Sequence, residues 1–492
     1  MPGLPEDDPP PPPAVAAETG GAPVPLRLGG ETFRALRHPN FRLLVAGTLL
    51  SQTGDFLQIM VQGWLVLTLT GSPLSLGVVG FCQAVPRLAF GVVSGMLADR
   101  LDRKRLLQVT QAGMMALAVI FATLVGTHRI TYRQILVLAL LWGSLNSIAQ
   151  TARQSLIPGL VPRENLLNAI ALHSSVFNLT RAMGPALGGA LVGWLGVAGC
   201  LWINAASFVP LLWALQAMDI PPRPAPETPQ AAGIADAVRF IRGERGVLVA
   251  IALTYAIAFF ALPYSRLLPA FARDVFHSGP LGFGLLASAS GMGAVASTLA
   301  LATWGRAETA ARLLAPGTLA LALTLLAFAA APGLKSGFLL LVLFGALQLG
   351  LRNLANLLIQ FRTPDALRGR VTGLFLMDIG VWSLGTLAIG ALSEAVGVRW
   401  GVGIGAVLCG VAGLVALGGR RGWSRPDPRQ GCTPSSSDRN SSSICSGSRW
   451  RSAYRRKTFS WMKTSTRSES ICPRSARARS MLSAPASVVR SR

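Results

Sequence analysis

A chain of 492 residues with 51% hydrophobic residues, 13% charged residues and a mean hydropathy of +0.48 has membrane rather than water-soluble composition. Its net charge of +24 invites comparison with nucleic-acid binders, but the segment from Arg420 onward holds 17 Lys or Arg against 3 Asp or Glu and alone supplies +14. The remaining cations fall mostly in short loops, without the basic stripe and interleaved aromatics that grip nucleic acid, so that class is excluded. Cys82, Cys200 and Cys409 lie in apolar runs and Cys432, Cys445 and Cys472 near the C-terminus; with no CxxC spacing, neither a disulfide framework nor a metal site is expected.

Residues 1–40 open with Glu6, Asp7, Asp8 and the run Pro9 to Pro13, which reads as a disordered cytoplasmic lead-in and not as a signal peptide. Apolar runs of about 20 residues follow, the length a helix needs to cross ~30 Å of hydrocarbon. Twelve are predicted, over 41–69, 75–97, 106–126, 134–155, 166–195 and 197–217, then 247–270, 281–303, 312–331, 336–358, 371–395 and 399–418. Residues 41–217 would form one six-helix bundle and 247–418 a second. The polar stretch 218–246, with "PPRPAPETPQ" and a charged helix-like segment, is the cytoplasmic linker between them. Residues 419–492, rich in Ser and Arg without helical apolar periodicity, read as a disordered tail; an anionic-lipid tether and an unselected extension of the reading frame both fit.

Lys and Arg concentrate in the loops after even-numbered spans, while the opposite loops hold Arg129, Arg133, Arg273, Lys335 and Arg399. Retention of cations on the cytoplasmic side then places both termini inside. Gly184, Gly189 and Gly196 recur 201 residues later as Gly385, Gly390 and Gly397, which suggests parallel repeats related by an axis along the membrane normal.

The loop between spans 2 and 3, "GMLADRLDRKR" from Gly95 to Arg105, packs six charges into seven positions. It resembles the loop signature of the major facilitator superfamily, with Asp102 in place of the family's second glycine, and its D-R-x-D-R-K/R form is similar to a bacterial branch that includes the enterobactin exporter. "VQGWLVLTLTGSPLSLGVVGF", "LPAFARDVFHSGPLGFGLL" and "TPDALRGRV" resemble the same branch, so the likeness spans nearly all of 41–418. "RAMGPALGGAL", from Arg181 to Leu191, resembles the fifth-helix signature associated with antiporters, without its first glycine. The resemblance implies an all-helical fold of twelve transmembrane helices in two six-helix bundles, with a substrate site between them.

It also implies that Gly95, Asp99, Arg100, Arg103, Lys104 and Arg105 form a conformational latch, with Asp99 near the N-terminus of span 11 and the three following cations at the lipid headgroups. The same charges would serve equally as topology determinants. Gly184, Pro185, Gly188 and Gly189 on span 5 suit a helix-packing hinge, and ordinary small-residue packing accounts for them as well.

Ionised groups inside spans cost ~2.5–3.5 kcal/mol at mid-bilayer and face a cavity or a partner. Asp55, Arg87, Arg181 and Asp378 qualify, with Arg352 nearer the cytoplasmic end. At ~1.5 Å per residue, Asp55 and Arg181 sit ~21–22 Å from the inner face and Arg87 ~15 Å, so they are expected to share a polar layer. This layer is either a proton-coupling site or a structural ion pair. His173, the one histidine inside a span, reads as a packed helix residue. Gln58, Gln62, Gln83, Asn146, Gln150, Asn178 and Asn204 could bind a polar substrate or join helices.

"GVGIG" from Gly401 lies in an apolar span with no preceding strand, and no P-loop is present, so an ion gradient must drive any pumping. The expectation is a proton-coupled exporter of small amphipathic molecules (a drug, siderophore or lipid-like metabolite), a monomer in the bacterial inner membrane without a cofactor. An importer or uniporter has the same architecture, and the preference for export comes from the resemblance. A membrane-embedded enzyme would need a nucleophile and an oriented base in one polar pocket, and His173 is the sole candidate base within a span.

Overall fold

The computed structural model describes the backbone of residues 33–219, 234–304 and 307–419. Side chains are described within those ranges except at 87–100, 234, 298–311 and 365–366. The expected lead-in falls mostly outside these residues. So do the central part of the linker, the tail beyond 419, and the side chains of Arg87, Gly95, Asp99 and Arg100.

The described chain is nearly all helical. Helix α1 spans Pro39–Thr70, α2 Pro73–Arg100, α3 Arg103–Gly126, α4 Tyr132–Leu156 and α5 Leu166–Ala217. Short α6 (Ile234–Gly243) leads into α7 (Arg245–Ala256) and α8 (Tyr264–Ala270). Then come α9 (Gly279–Trp304), α10 (Ala307–Ala329), α11 (Leu334–Arg362), α12 (Asp365–Leu376), α13 (Asp378–Val396) and α14 (Val398–Gly418). Among the described residues, nine helical stretches are long and apolar enough to cross a membrane.

One of those stretches, Arg163–Ala217, has 55 residues and reverses at Gly196, whose φ is +66°. Its first limb follows α1 in parallel, with Gly184 against Phe56 and Gly188 against Met60. Its second limb runs back along α1, with Asn204 and Ser207 at Gly54 and Leu211 at Gly47. Gly397, 201 residues later, has φ +90° and separates α13 from α14. Side chains other than glycine rarely adopt this backbone region, so the repeated glycines mark two equivalent turns.

Two regions depart from simple rods. π-Helical turns at Ile257–Ala261 and Phe271–Val275 bracket α8. The span expected at 371–395 is divided at Met377 into α12 and α13. There Met377 N–H donates to Leu374 and Gly380 N–H to Met377 over three residues instead of four, which interrupts the helical ladder and puts Asp378 at the start of α13.

The N-terminal half (α1–α5) and the C-terminal half (α7–α14) join along two helix crossings. α5 crosses α9 where a Cβ on Gly189 would come within 2.8 Å of the Pro280 carbonyl and 3.0 Å of Gly284 Cα. α2 crosses α13 where a Cβ on Gly77 would come within 2.8 Å of the Thr386 carbonyl and 3.4 Å of Gly390 Cα. The crossings exchange roles between the repeats, because Gly189 matches Gly390 and Gly77 matches Gly284. Both lie toward the face opposite the starts of α1 and α5, here called the far face.

Polar contacts reinforce that face. Ser72 Oγ donates to Glu394 at 2.7 Å and Leu74 N–H to the same carboxylate at 3.2 Å. Arg273 donates to the Leu67 carbonyl at 2.9 Å.

Candidate transport site

Helix α1 carries its polar residues inward. Thr48, Ser51, Gln52 and Asp55 are all buried, with Gln111 of α3 beside Ser51 and Trp142 and Arg153 of α4 beside Asp55. Ser51 Oγ and Gln111 Oε1 are 3.5 Å apart. Arg153, only 3% exposed, and Trp142 interact with the Asp55 carboxylate, yet Asp55 Oδ1, Trp142 Nε1 and Arg153 Nε lack hydrogen-bond partners. Thr48 Oγ1, Gln52 Oε1 and Gln111 Nε2 are unpartnered too. Buried polar atoms are normally satisfied, and six of those left without a partner among the described residues gather in this seam.

Among the described residues the guanidinium that bears on Asp55 is Arg153 and not Arg181, while the side chain of Arg87, expected in the same layer, lies outside them. Arg153 stands three residues before the end of α4 and reads in sequence as a last-turn cation at a loop. The rotation of α4 turns it inward instead. His173 lies within electrostatic reach of Arg153, on the rim of the same seam.

Arg181 faces the other half of the molecule. It sits on the first limb of α5 and donates through Nη2 to Gln348 Oε1 of α11 at 3.4 Å, long for such a bond. The Tyr264 hydroxyl and the Arg352 guanidinium are also within its electrostatic reach. Arg352 donates through both Nη atoms to both carboxylate oxygens of Asp378, the forked geometry guanidinium favours. The position of Asp378 at the start of α13 adds the attraction of a helix N-terminus for an anion. Gln348, Arg352 and Asp378 line a narrow cleft with Thr254, Thr318 and apolar residues of α7, α10 and α11, all of it within the C-terminal half. The Arg352–Asp378 pair joins two charges that are separate in sequence.

A second narrow cleft lies between the halves toward the far face. Gln83 donates to Gln62 at 3.1 Å on one wall, and Ser265 and Arg266 form part of the other. Arg266, an in-span cation the sequence reading passed over, has its guanidinium 5.5 Å from the centre of the Trp382 ring, a cation–π distance. The remaining amides divide between roles. Asn204 donates to Gln58 at 2.7 Å and joins two helices, while Asn178 bonds back to the Ser174 carbonyl within its own helix.

The glycine-rich segment of α5 splits by face. Gly184 and Gly188 admit α1, whereas Pro185 and Gly189 press on Gly284 of α9. In the charged loop, Asp102 caps α3 by accepting from the backbone of Lys104 at 2.8 Å and Arg105 at 3.2 Å. Arg103 donates to the Ser155 carbonyl at 3.2 Å and Lys104 to the Met218 carbonyl at 2.5 Å. These two cations thus hold the carbonyl ends of α4 and α5, since helix C-termini attract cations. Arg105 is exposed.

Comparison with known proteins adds three kinds of likeness. A family profile described as "transmembrane secretion effector" matches residues 30–420. The multidrug efflux pump Tap of Mycolicibacterium fortuitum is 27% identical over 73% of this chain and 90% of its own length. The enterobactin exporter of Citrobacter koseri is 29% identical over 75% of this chain and 86% of its own. The staphyloferrin A transporter of Staphylococcus aureus is 25% identical over 72% and 88%. Among solved structures, a bacterial homologue of the lysosomal transporter Spinster, inward-facing and unoccupied, superposes with a TM-score of 0.64 at 15% identity, covering 78% of this chain and 97% of that one. A bacterial homologue of ferroportin, also inward-facing, gives 0.62 at 16% identity, covering 78% and 99%. At these identities the structural likeness establishes the fold, which is that of the major facilitators.

Proposed function

The chain belongs to the transmembrane secretion effector family of major facilitator transporters, and on that premise we propose that it is a proton-coupled exporter of small amphipathic molecules, with both termini in the cytoplasm of a bacterial cell. The observation that carries coupling is the buried Asp55–Arg153–Trp142 cluster, in which a carboxylate and its neighbours are left with open hydrogen-bonding atoms. Burial and a neighbouring guanidinium act on a carboxyl in opposite senses, a balance that suits a group required to gain and lose a proton. The outward direction is supported by the named relatives, which are efflux pumps and siderophore exporters.

In this reading the far face is extracytoplasmic. It is held shut by the Gly189–Gly284 and Gly77–Gly390 crossings and by Glu394 and Arg273. Loading Asp55 with a proton removes the charge that Arg153 answers, which frees the guanidinium to take other partners in the seam. Gly184, Pro185, Gly188 and Gly189 lie where the two halves would have to slide or part. Pro185 deprives α5 of one backbone bond at that point.

The test is accumulation of a panel of fluorescent or radiolabelled drugs, siderophores and lipid-like acids in cells with and without the protein. Lower accumulation of at least one compound, reversed by a protonophore, is the expected result. Higher accumulation across the panel would make the protein an importer.

A further inference from the structure

The charges where Arg181 of α5 meets the cleft of the C-terminal half do not balance. Two guanidinium groups, Arg181 and Arg352, lie within electrostatic reach of one another, and the one carboxylate beside them, Asp378, is already held by Arg352 through both oxygens. Among the described residues Arg181 makes no ion pair. Its hydrogen bond is the long one to the Gln348 oxygen, so most of the five guanidinium donors are uncommitted. Asp55, deep in α1, is engaged by Arg153. A cation held between two bundles without a counter-charge is costly, and an anion arriving there would relieve that cost.

The cleft beside it is part polar and part apolar. Gln348, Arg352 and Asp378 adjoin Arg181, and Leu253, Ile257, Leu262, Leu314 and Leu351 line the rest together with Thr254 and Thr318. We propose that the molecule carried is an anionic amphiphile, whose carboxylate docks on the forked donors of Arg181 beside Gln348 and whose apolar body lies along the leucine-rich wall. The guanidinium matches a carboxylate through two parallel N–H bonds, which gives the anion a fixed orientation. Arg352, neutralised by Asp378, then keeps the pocket at one net positive charge instead of two. This deepens the exporter reading and rests on it.

The test uses three matched probes that share one apolar body: pyrenebutanoate, pyrenebutanol and pyrenebutylammonium. Their binding to the purified full chain is followed by fluorescence anisotropy, with partition into empty micelles subtracted. The unmodified protein is expected to bind the carboxylate at least about tenfold more tightly than the alcohol, as charge-assisted hydrogen bonds predict, and the ammonium most weakly. Arg181→Gln is expected to bind carboxylate and alcohol within about threefold of each other, with an unchanged unfolding midpoint in the same detergent as the sign of an intact fold. Arg181→Lys, which keeps the charge, is expected to retain a preference for the carboxylate and decides the matter if the Gln variant does not fold.

Equal or better binding of the ammonium, or an undiminished preference in Arg181→Gln, overturns the proposal. The accumulation experiment separates this from the exporter reading. An anion preference that depends on Arg181 without export of any compound overturns export and leaves the anion site. Export of cationic compounds that is indifferent to Arg181→Gln does the reverse.

Discussion

Arg352 and Asp378 are buried unequally: the aspartate side chain is 3% exposed and the arginine 32%. Removing the arginine strands a carboxylate in the protein interior, whereas removing the aspartate leaves a guanidinium that still reaches the cleft. Arg352→Met is therefore expected to destabilise the protein by on the order of 3 kcal/mol, Asp378→Asn by less, and the double variant by less than Arg352→Met alone. Midpoints of unfolding for the four proteins in one detergent measure this, and additive losses would mean the two side chains do not act as a pair. The in-span charges Asp55, Arg181, Asp378 and Arg352 are all legible in the sequence, because a charge among apolar residues stands out. Their pairing is not, since it depends on how far each helix is rotated and on where α12 gives way to α13 at Met377. Arg153 is hidden in the sequence for a simpler reason: near a helix end it looks like an ordinary terminal cation.

Between helices, glycines let the backbones of the two halves touch. A side chain at Gly189 would drive into the Pro280 carbonyl and Gly284 Cα, both of them backbone atoms that cannot swing away. Gly189→Leu is expected to force α5 and α9 apart at the far face while leaving the packing of each half intact. Cysteines placed at Ser72 and Glu394, joined in the structure by a 2.7 Å hydrogen bond, report on that face. Their crosslinking should fall several-fold in Gly189→Leu, and unchanged crosslinking would show that the crossing does not control closure. Gly397→Ala forces a Cβ into a backbone region at φ +90° and should cost about 1–2 kcal/mol in stability without altering crosslinking. The 201-residue echo makes the two turns visible in the sequence. What it leaves out is that α5 and α13 swap partners, because the repeat gives positions along each helix but not which helices meet.

For the whole molecule, most predicted spans coincide with a helix because hydrocarbon thickness dictates helix length almost independently of side-chain detail, whereas 371–395 is divided at Met377 and nine stretches among the described residues, not twelve, are long and apolar enough to cross a membrane. The family match ends at residue 420, and the segment beyond it lacks helical apolar periodicity. A chain truncated after Arg421 is accordingly expected to insert and transport like the full protein, as surface expression and probe efflux would measure; loss of either would assign the segment a structural role. The central claim is that Asp55 carries the proton that drives export. Its most direct test is transport into inside-out membrane vesicles with an acidic lumen, using the panel compound most strongly excluded from cells. The unmodified protein should concentrate the compound in the lumen and lose that ability when the gradient is collapsed. Asp55→Asn should equilibrate the compound at a near-normal rate but fail to concentrate it. Concentration by Asp55→Asn at the unmodified rate would contradict the account and move the coupling site away from the Asp55–Arg153 seam, with Asp378 the next carboxylate to examine.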